Sequence, residues 1–150
     1  MSLVLFLITS FSAAVLGGLN PPDAWFDSLT KPSWNPPGWV FGPVWTLLYA
    51  MIGTSGWLVW RDHGAEAIRW ALALWLVQLI LNATWSPAYI GWHRPDVSLL
   101  IIVGMWLTIA STIVAFWPLQ RAAALLLVPY LAWVTFATAL NASIWRLNAG

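Results

Sequence analysis

The stretch KPSWNPPGWVFGPVWTLLY, residues 31–49, carries three of the chain's fourteen tryptophans and four of its ten prolines. From Lys31 to Gly38 a regular helix is forbidden, because Pro32, Pro36 and Pro37 each remove a backbone donor and push the preceding residue toward extended geometry. Pro43 has the opposite meaning, since in a first helical turn its missing N–H costs nothing and its fixed φ suits the coil that follows. A stiff aromatic loop therefore runs into a helix carrying Trp45 and Tyr49, with the junction expected at Gly42-Pro43. The solvent around that helix follows from the rest of the chain.

Of 150 residues, 61% are hydrophobic and 7% charged, too little polar surface to cover a soluble globule of this size. The charges fall at Asp23, Asp27 and Lys31, at Arg61, Asp62, Glu66 and Arg69, at Arg94 and Asp96, and at Arg121 and Arg146. Between them, residues 1–22, 32–60, 70–93, 97–120 and 122–145 each exceed the ~20 residues that cross about 30 Å of hydrocarbon as helix. The expectation is an all-α integral membrane protein, one domain over residues 1–150, in which five transmembrane helices form a bundle. Their approximate bounds are 3–19, 43–60, 65–89, 97–116 and 122–145, with a long aromatic loop between the first two.

A secretory leader is the competing reading of Leu3 to Leu16, but no basic region precedes it and further apolar spans follow. No segment alternates apolar and polar residues as barrel strands do. The absence of cysteine excludes thiolate chemistry, and a net charge of +1 gives no footprint for nucleic acid. His63 and His93 lack a third nitrogen or thiolate to complete a metal site. Basic residues divide almost evenly between the two sides, so orientation stays open.

Within the first expected helix, Ala13 and Gly17 form a small pair that lets another backbone approach. In the connection, Asp23 suits the N-cap of a short helix from Ala24, and the aromatic content of residues 25–41 argues for a lid rather than a disordered linker. On the second span Trp45, Tyr49, Gly53 and Trp60 recur near helical spacing; Gly53 and Gly56 leave either a hollow or a close helix contact. The third places Gln78, Asn82 and Trp85 on one face, and both amides should turn inward because hydrocarbon offers them no partner. Ala67 and Ala71 on that span are a possible dimer seam. On the fourth, Thr108, Ser111 and Thr112 are expected to bond between helices, and Trp106 to pack in the core at mid-depth. The fifth sets Trp133, Ala137 and Asn141 at four-residue steps, a ring, a gap and a polar tip, with a bend at Pro129.

Taken together, Trp45 and Tyr49, Asn82 and Trp85, and Trp133 with Ala137 and Asn141 describe an intramembrane aromatic pocket, covered by the loop from Trp34 to Trp39. Such a pocket suits a large, flat, mostly apolar ligand oriented by a few polar atoms. No Asp, Glu, Lys or Arg lies within the five charge-free intervals, which speaks against proton pumping, an ion pathway or ordinary hydrolysis.

KPSWNPPGWVFGPVWTLLY at 31–49, QLILNATWSP at 78–87 and PYLAWVTFATALNASIWRLN at 129–148 resemble, in order and over nearly the whole chain, the TspO/MBR family of bacterial tryptophan-rich sensory proteins and translocator proteins. The resemblance implies a five-helix bundle, commonly a homodimer, in a bacterial cell membrane, with Trp45, Asn82 and Trp133 in a pocket for porphyrins and benzodiazepine-type molecules. The implied function is that of a sensory or regulatory protein binding protoporphyrin IX or a related tetrapyrrole, with no cofactor required. Only Met51 and Met105 lie within spans as axial ligands, so metal ligation is not expected. Two alternatives stay open: light- and oxygen-dependent breakdown of protoporphyrin through Trp45 and Trp133, and translocation of a tetrapyrrole or lipid. The family's link to cholesterol runs through a Leu/Val, Tyr, Arg/Lys pattern. Here Leu140 and Arg146 are present but Ala142 and Ser143 stand where the tyrosine would be, which puts sterol binding there in doubt.

Overall fold

The computed structural model describes residues 2–149, and all regular structure among them is helical. Helix α1 spans Leu3–Gly18, a short α2 spans Ala24–Ser28, and α3 spans Phe41–Asp62 after a 3-10 turn at Gly38–Val40. Helix α4, Ala65–Ser86, runs into a π-turn at Pro87–Gly91, and α5 covers Pro95–Phe116. Helices α6, Arg121–Leu126, and α7, Val128–Asn148, are two parts of one helical run.

The ends of these helices follow local chemistry. Ser2 caps α1 by accepting from the Leu5 amide, and Asp23 caps α2 by accepting from Phe26 N at 2.9 Å. Proline starts α5, where Asp96 in the first turn meets the positive end of the helix dipole. Proline also explains the two irregular points. Pro87 has no N–H to continue α4, and the chain widens so that Trp92 N donates to Pro87 O at 2.9 Å. The interruption expected at Pro129 falls two residues earlier, at Leu127, because the missing donor leaves the preceding turn to close differently. The first junction moves as well. Gly42 and Pro43 lie inside α3, and the change from extended to helical backbone comes between Pro37 and Gly38.

Among the described residues, three helical runs are long and apolar enough to cross a membrane: Ala65–Gly91, Pro95–Phe116 and Arg121–Asn148. Helix α1, with 16 residues, rises about 24 Å, and α3 is long enough at 22 residues but diluted by Gly, Ser, Thr and Tyr. Packing runs α3 to α1, α1 to α4, α4 to α5, α5 to α7, and back to α3 through α6, closing a ring. Its outer surface carries large apolar side chains such as Ile8, Leu100, Leu107 and Val114. In water such a surface would aggregate; in lipid it is the required one.

Close packing decides the question at the α3 glycines. A Cβ on Gly53 would lie 3.0 Å from Leu7 Cα and 3.1 Å from Phe6 O, and one on Gly56 would enter the Trp75 ring at 2.7 Å. Both therefore seat neighbours, and neither forms a hollow. Two further expectations are corrected, and a third is extended. Thr108, Ser111 and Thr112 donate to carbonyls four residues back on their own helix, an outlet available to any short hydroxyl side chain. Ala71 is buried within the chain while Ala67 is exposed, so the pair does not form one free stripe. Trp106 does more than pack: its Nε1 donates to Thr135 Oγ1 at 2.7 Å and joins α5 to α7.

Candidate functional site

At the end of the bundle where α1 finishes and α3 begins, the helices do not meet, and a cavity of about 780 Å³ remains. Its wall is formed by Trp45 and Tyr49 on α3, Asn82 and Trp85 on α4, Tyr89 on the π-turn, and Ala137 and Asn141 on α7. Gly17 on α1 and Ala137 on α7 also border it and contribute little side chain. The ring of Trp45 stacks on Tyr49 at 5.5 Å and approaches Trp85 at 6.3 Å. Apolar surface dominates the wall, with polar groups confined to a few fixed positions, as small-molecule sites require.

Those polar positions are held by a hydrogen-bond column. Tyr49 donates to Asn82 Oδ1; Asn82 Nδ2 donates to Tyr130 OH at 2.9 Å; Tyr130 donates to Gln78 Oε1 at 2.7 Å; Gln78 Nε2 donates to Trp75 O at 2.8 Å. Gln78 is fully buried away from the cavity and acts as a tie between helices, whereas Asn82 ties helices and also borders the cavity. A second group centres on Asn141, whose Oδ1 accepts from Trp85 Nε1 at 3.0 Å and from Ser98 Oγ at 2.9 Å while its Nδ2 donates to Pro95 O. Asn141 thereby fixes the Trp85 ring against the cavity.

The connection between α1 and α3 covers this end. Trp25 and Phe26 of α2 pack edge-on against Tyr89 at 6.4 and 5.8 Å, and Trp34 packs on Phe136 at 5.6 Å. Two clamps hold it. Asp23 Oδ2 lies 2.9 Å from His93 Nε2, with Trp25 stacked on the imidazole at 4.2 Å; His93 takes a left-handed conformation, φ 54°, as the chain turns into α5. At the other end Thr30 and Asn148 exchange two hydrogen bonds of 2.9 Å. The Phe26 amide, and after it His93, holds the Asp23 carboxyl below its ordinary range.

Of the residues expected at the pocket, Trp45, Tyr49, Asn82, Trp85, Ala137 and Asn141 come together on one wall. Trp34, Trp39 and Trp133 do not border the cavity. Trp34 covers Phe136 from outside and Trp39 is 76% exposed, because the 3-10 turn at Gly38–Val40 directs it away. Trp133 stands behind the wall, edge-on to Trp45 at 6.5 Å and to Phe41 at 5.7 Å, with its Nε1 buried and unpartnered. Neither Met51 nor Met105 reaches the cavity, and Met105 Sδ packs by Tyr130 OH. Tyr89, Tyr130, Lys31 and Asn148 were missed. Helical spacing contained the first two: Tyr89 extends the Gln78, Asn82, Trp85 stripe, and Tyr130 lies seven residues before Ala137. Nothing local singles out Lys31 or Asn148. Among the described residues no group of His, Cys, Asp or Glu could hold a metal ion.

Comparison with known proteins gives the family of the chain. The pattern of the TspO/MBR family matches residues 3–146. Over 95% of this chain and 89% of the relative, it is 41% identical to the tryptophan-rich sensory protein of Cereibacter sphaeroides. Protein CrtK of Rhodobacter capsulatus is 41% identical over 100% of this chain and 96% of its own length, and the human translocator protein is 43% identical over 84% and 76%. The chain is a member of the TspO/MBR family and an integral, multi-pass membrane protein.

Proposed function

We propose that this protein binds a flat tetrapyrrole of the protoporphyrin IX type in the cavity beneath the α2 connection, and that binding serves a sensory or regulatory role; the relative in Cereibacter sphaeroides is named a sensory protein. The carrying observation is the cavity itself. Its volume of about 780 Å³ lies within the usual range of ~300–1,000 Å³ for small-molecule sites, and the Trp45 and Trp85 rings offer flat apolar faces. Benzodiazepine-type compounds fit the same description. All five long helical runs cross the bilayer in this reading, with the aromatic-rich α3 as one member of the ring and the short α1 reaching the interfaces through Ser2 and Asn20. The protein assembles as a homodimer, which the mass of the detergent-solubilised complex would check. Titration with protoporphyrin IX should quench tryptophan emission with saturation, and Trp45→Ala should weaken the binding at least tenfold. A saturable signal unchanged in Trp45→Ala removes the ligand from this cavity, and no saturable signal removes the reading.

One observation favours a second reading, light- and oxygen-dependent porphyrin breakdown. Trp45 borders the cavity and meets Trp85 and Trp133 within 6.5 Å, so oxidisable rings lie side by side from the wall inward. Illumination of the complex in air separates the two. A defined product formed over several turnovers is catalysis, whereas bleaching that stops at one equivalent is damage.

A further inference from the structure

One charged group at the cavity mouth has no role in an apolar pocket. Lys31 borders the cavity and is half-buried, not extended into water. Its Nζ donates to Phe26 O at 2.8 Å and Leu29 O at 3.3 Å and sits 4.7 Å from the centroid of the Phe26 ring. Holding a long side chain this way sacrifices rotamer freedom that an exposed lysine keeps. An ammonium carries three N–H donors, and these contacts use two. No carboxylate pairs with Lys31 among the described residues; Asp27 also borders the cavity but is exposed and forms no ion pair with it. Tyr89 packs edge-on against Phe26, borders the cavity too and has a buried hydroxyl with no partner. A fixed cation with a spare donor at the edge of an aromatic cavity is a built half of a charge-assisted hydrogen bond.

We infer that Lys31 is a carboxylate anchor: the cavity takes a ring acid, lying flat against Trp45 and Trp85 with a carboxylate turned to the mouth and bound by the Lys31 ammonium. The inference rests on the proposed tetrapyrrole reading and deepens it by assigning the protein group that holds the ligand's carboxylate. The α2 segment then has a second duty, since the carbonyls of Phe26 and Leu29 aim the ammonium as well as closing the lid.

The test compares protoporphyrin IX with its dimethyl ester, which has the same ring and no carboxylate, on the wild-type protein and on Lys31→Met and Lys31→Arg. The free acid should bind wild type about tenfold more tightly than the ester, as expected for one charge-assisted hydrogen bond at a partly solvated site. Lys31→Met should bring the acid down to the ester's affinity and leave the ester unchanged, while Lys31→Arg keeps most of the preference. Equal binding of acid and ester by wild type overturns the anchor and leaves the tetrapyrrole reading standing. Equal losses for acid and ester in Lys31→Met also overturn it, because they make Lys31 a support of the lid alone. Binding of neither compound overturns the tetrapyrrole reading, and the anchor falls with it. Oleate, a carboxylate without rings, should not displace the acid; displacement at equal concentration overturns the assignment to a ring acid.

Discussion

The two ends of the bundle are built from the same residue types and do opposite things with them. Toward the α3–α4 turn, Trp75 fits against the bare backbone of Gly56, meets Phe6 edge-on at 5.5 Å, and gives its Nε1 to Ile52 O at 3.0 Å. Every demand of that indole is met inside the protein. Toward the α2 connection, Trp45 and Trp85 face a cavity, and Trp133 Nε1 and Tyr89 OH are buried without partners. A small residue next to a tryptophan therefore has two meanings. At Gly56 the ring fills the gap. At Ala137 no ring does, and the gap becomes the site. Between the two ends, the Tyr49, Asn82, Tyr130, Gln78 column joins α3, α4 and α7, so that the hollow end is held open by a bonded middle.

This contrast is most easily broken at the packed end. Gly53→Leu forces a side chain into the Leu7 backbone and should lower stability by about 3 kcal/mol, the upper part of the usual overpacking range. Thermal unfolding in detergent reads the loss, and an unchanged midpoint would mean that α1 is free to move off α3. Asn82→Leu comes next. It leaves the Tyr49 hydroxyl without its acceptor and Tyr130 without one donor, at a cost of about 1–3 kcal/mol. Because Asn82 also borders the cavity, it should lower ligand affinity as well, and loss of affinity with full stability would show the column to be dispensable. Ala137→Leu acts on the cavity wall itself. Ala137 borders the cavity but is almost fully buried, so the larger side chain should lower stability by about 1 kcal/mol, the lower end of the overpacking range, while porphyrin affinity falls at least tenfold. Retained affinity would move the ligand elsewhere.

The same contrast explains what the sequence made legible. Charge-free length was enough for α4, α5 and the α6–α7 run, because spanning a bilayer is a property of composition. Asp23 as the cap of α2 was readable because capping is local. Helical spacing of three residues brought Asn82 and Trp85, and of four brought Ala137 and Asn141, to one wall. The glycines were not decidable from sequence, since whether a gap is filled depends on the neighbouring helix, and Trp75 lies 19 residues from Gly56. Trp34 and Trp39 went astray for a related reason. Their density suggested a lid, but which way a loop tryptophan turns is set by the 3-10 turn for Trp39 and, for Trp34, by Phe136, more than 100 residues further along the chain. The contact of Thr30 with Asn148 spans still more sequence and left no local trace.

The smallest expected effect concerns the lid alone. The Asp23 carboxyl is held below its ordinary range by the Phe26 amide and His93, so the folded lid favours the ionised form. A depressed folded value contributes stability that is fully present above the unfolded carboxylate range and is lost as pH falls through the folded value. Acidification below the ordinary carboxylate range should therefore loosen α2, read as faster amide exchange at Phe26 and its neighbours, while amides in the column around Asn82 stay protected. The carboxyl is solvent-exposed, so the change should be modest and smaller still in high salt. Asp23→Asn retains a capping oxygen but no charge: it should exchange faster than wild type at neutral pH and show little further change on acidification. If wild type and Asp23→Asn respond alike, the lid is held by Thr30, Asn148 and the aromatic contacts of Trp25 and Phe26, and the Asp23–His93 clamp contributes nothing measurable to closing the hollow end.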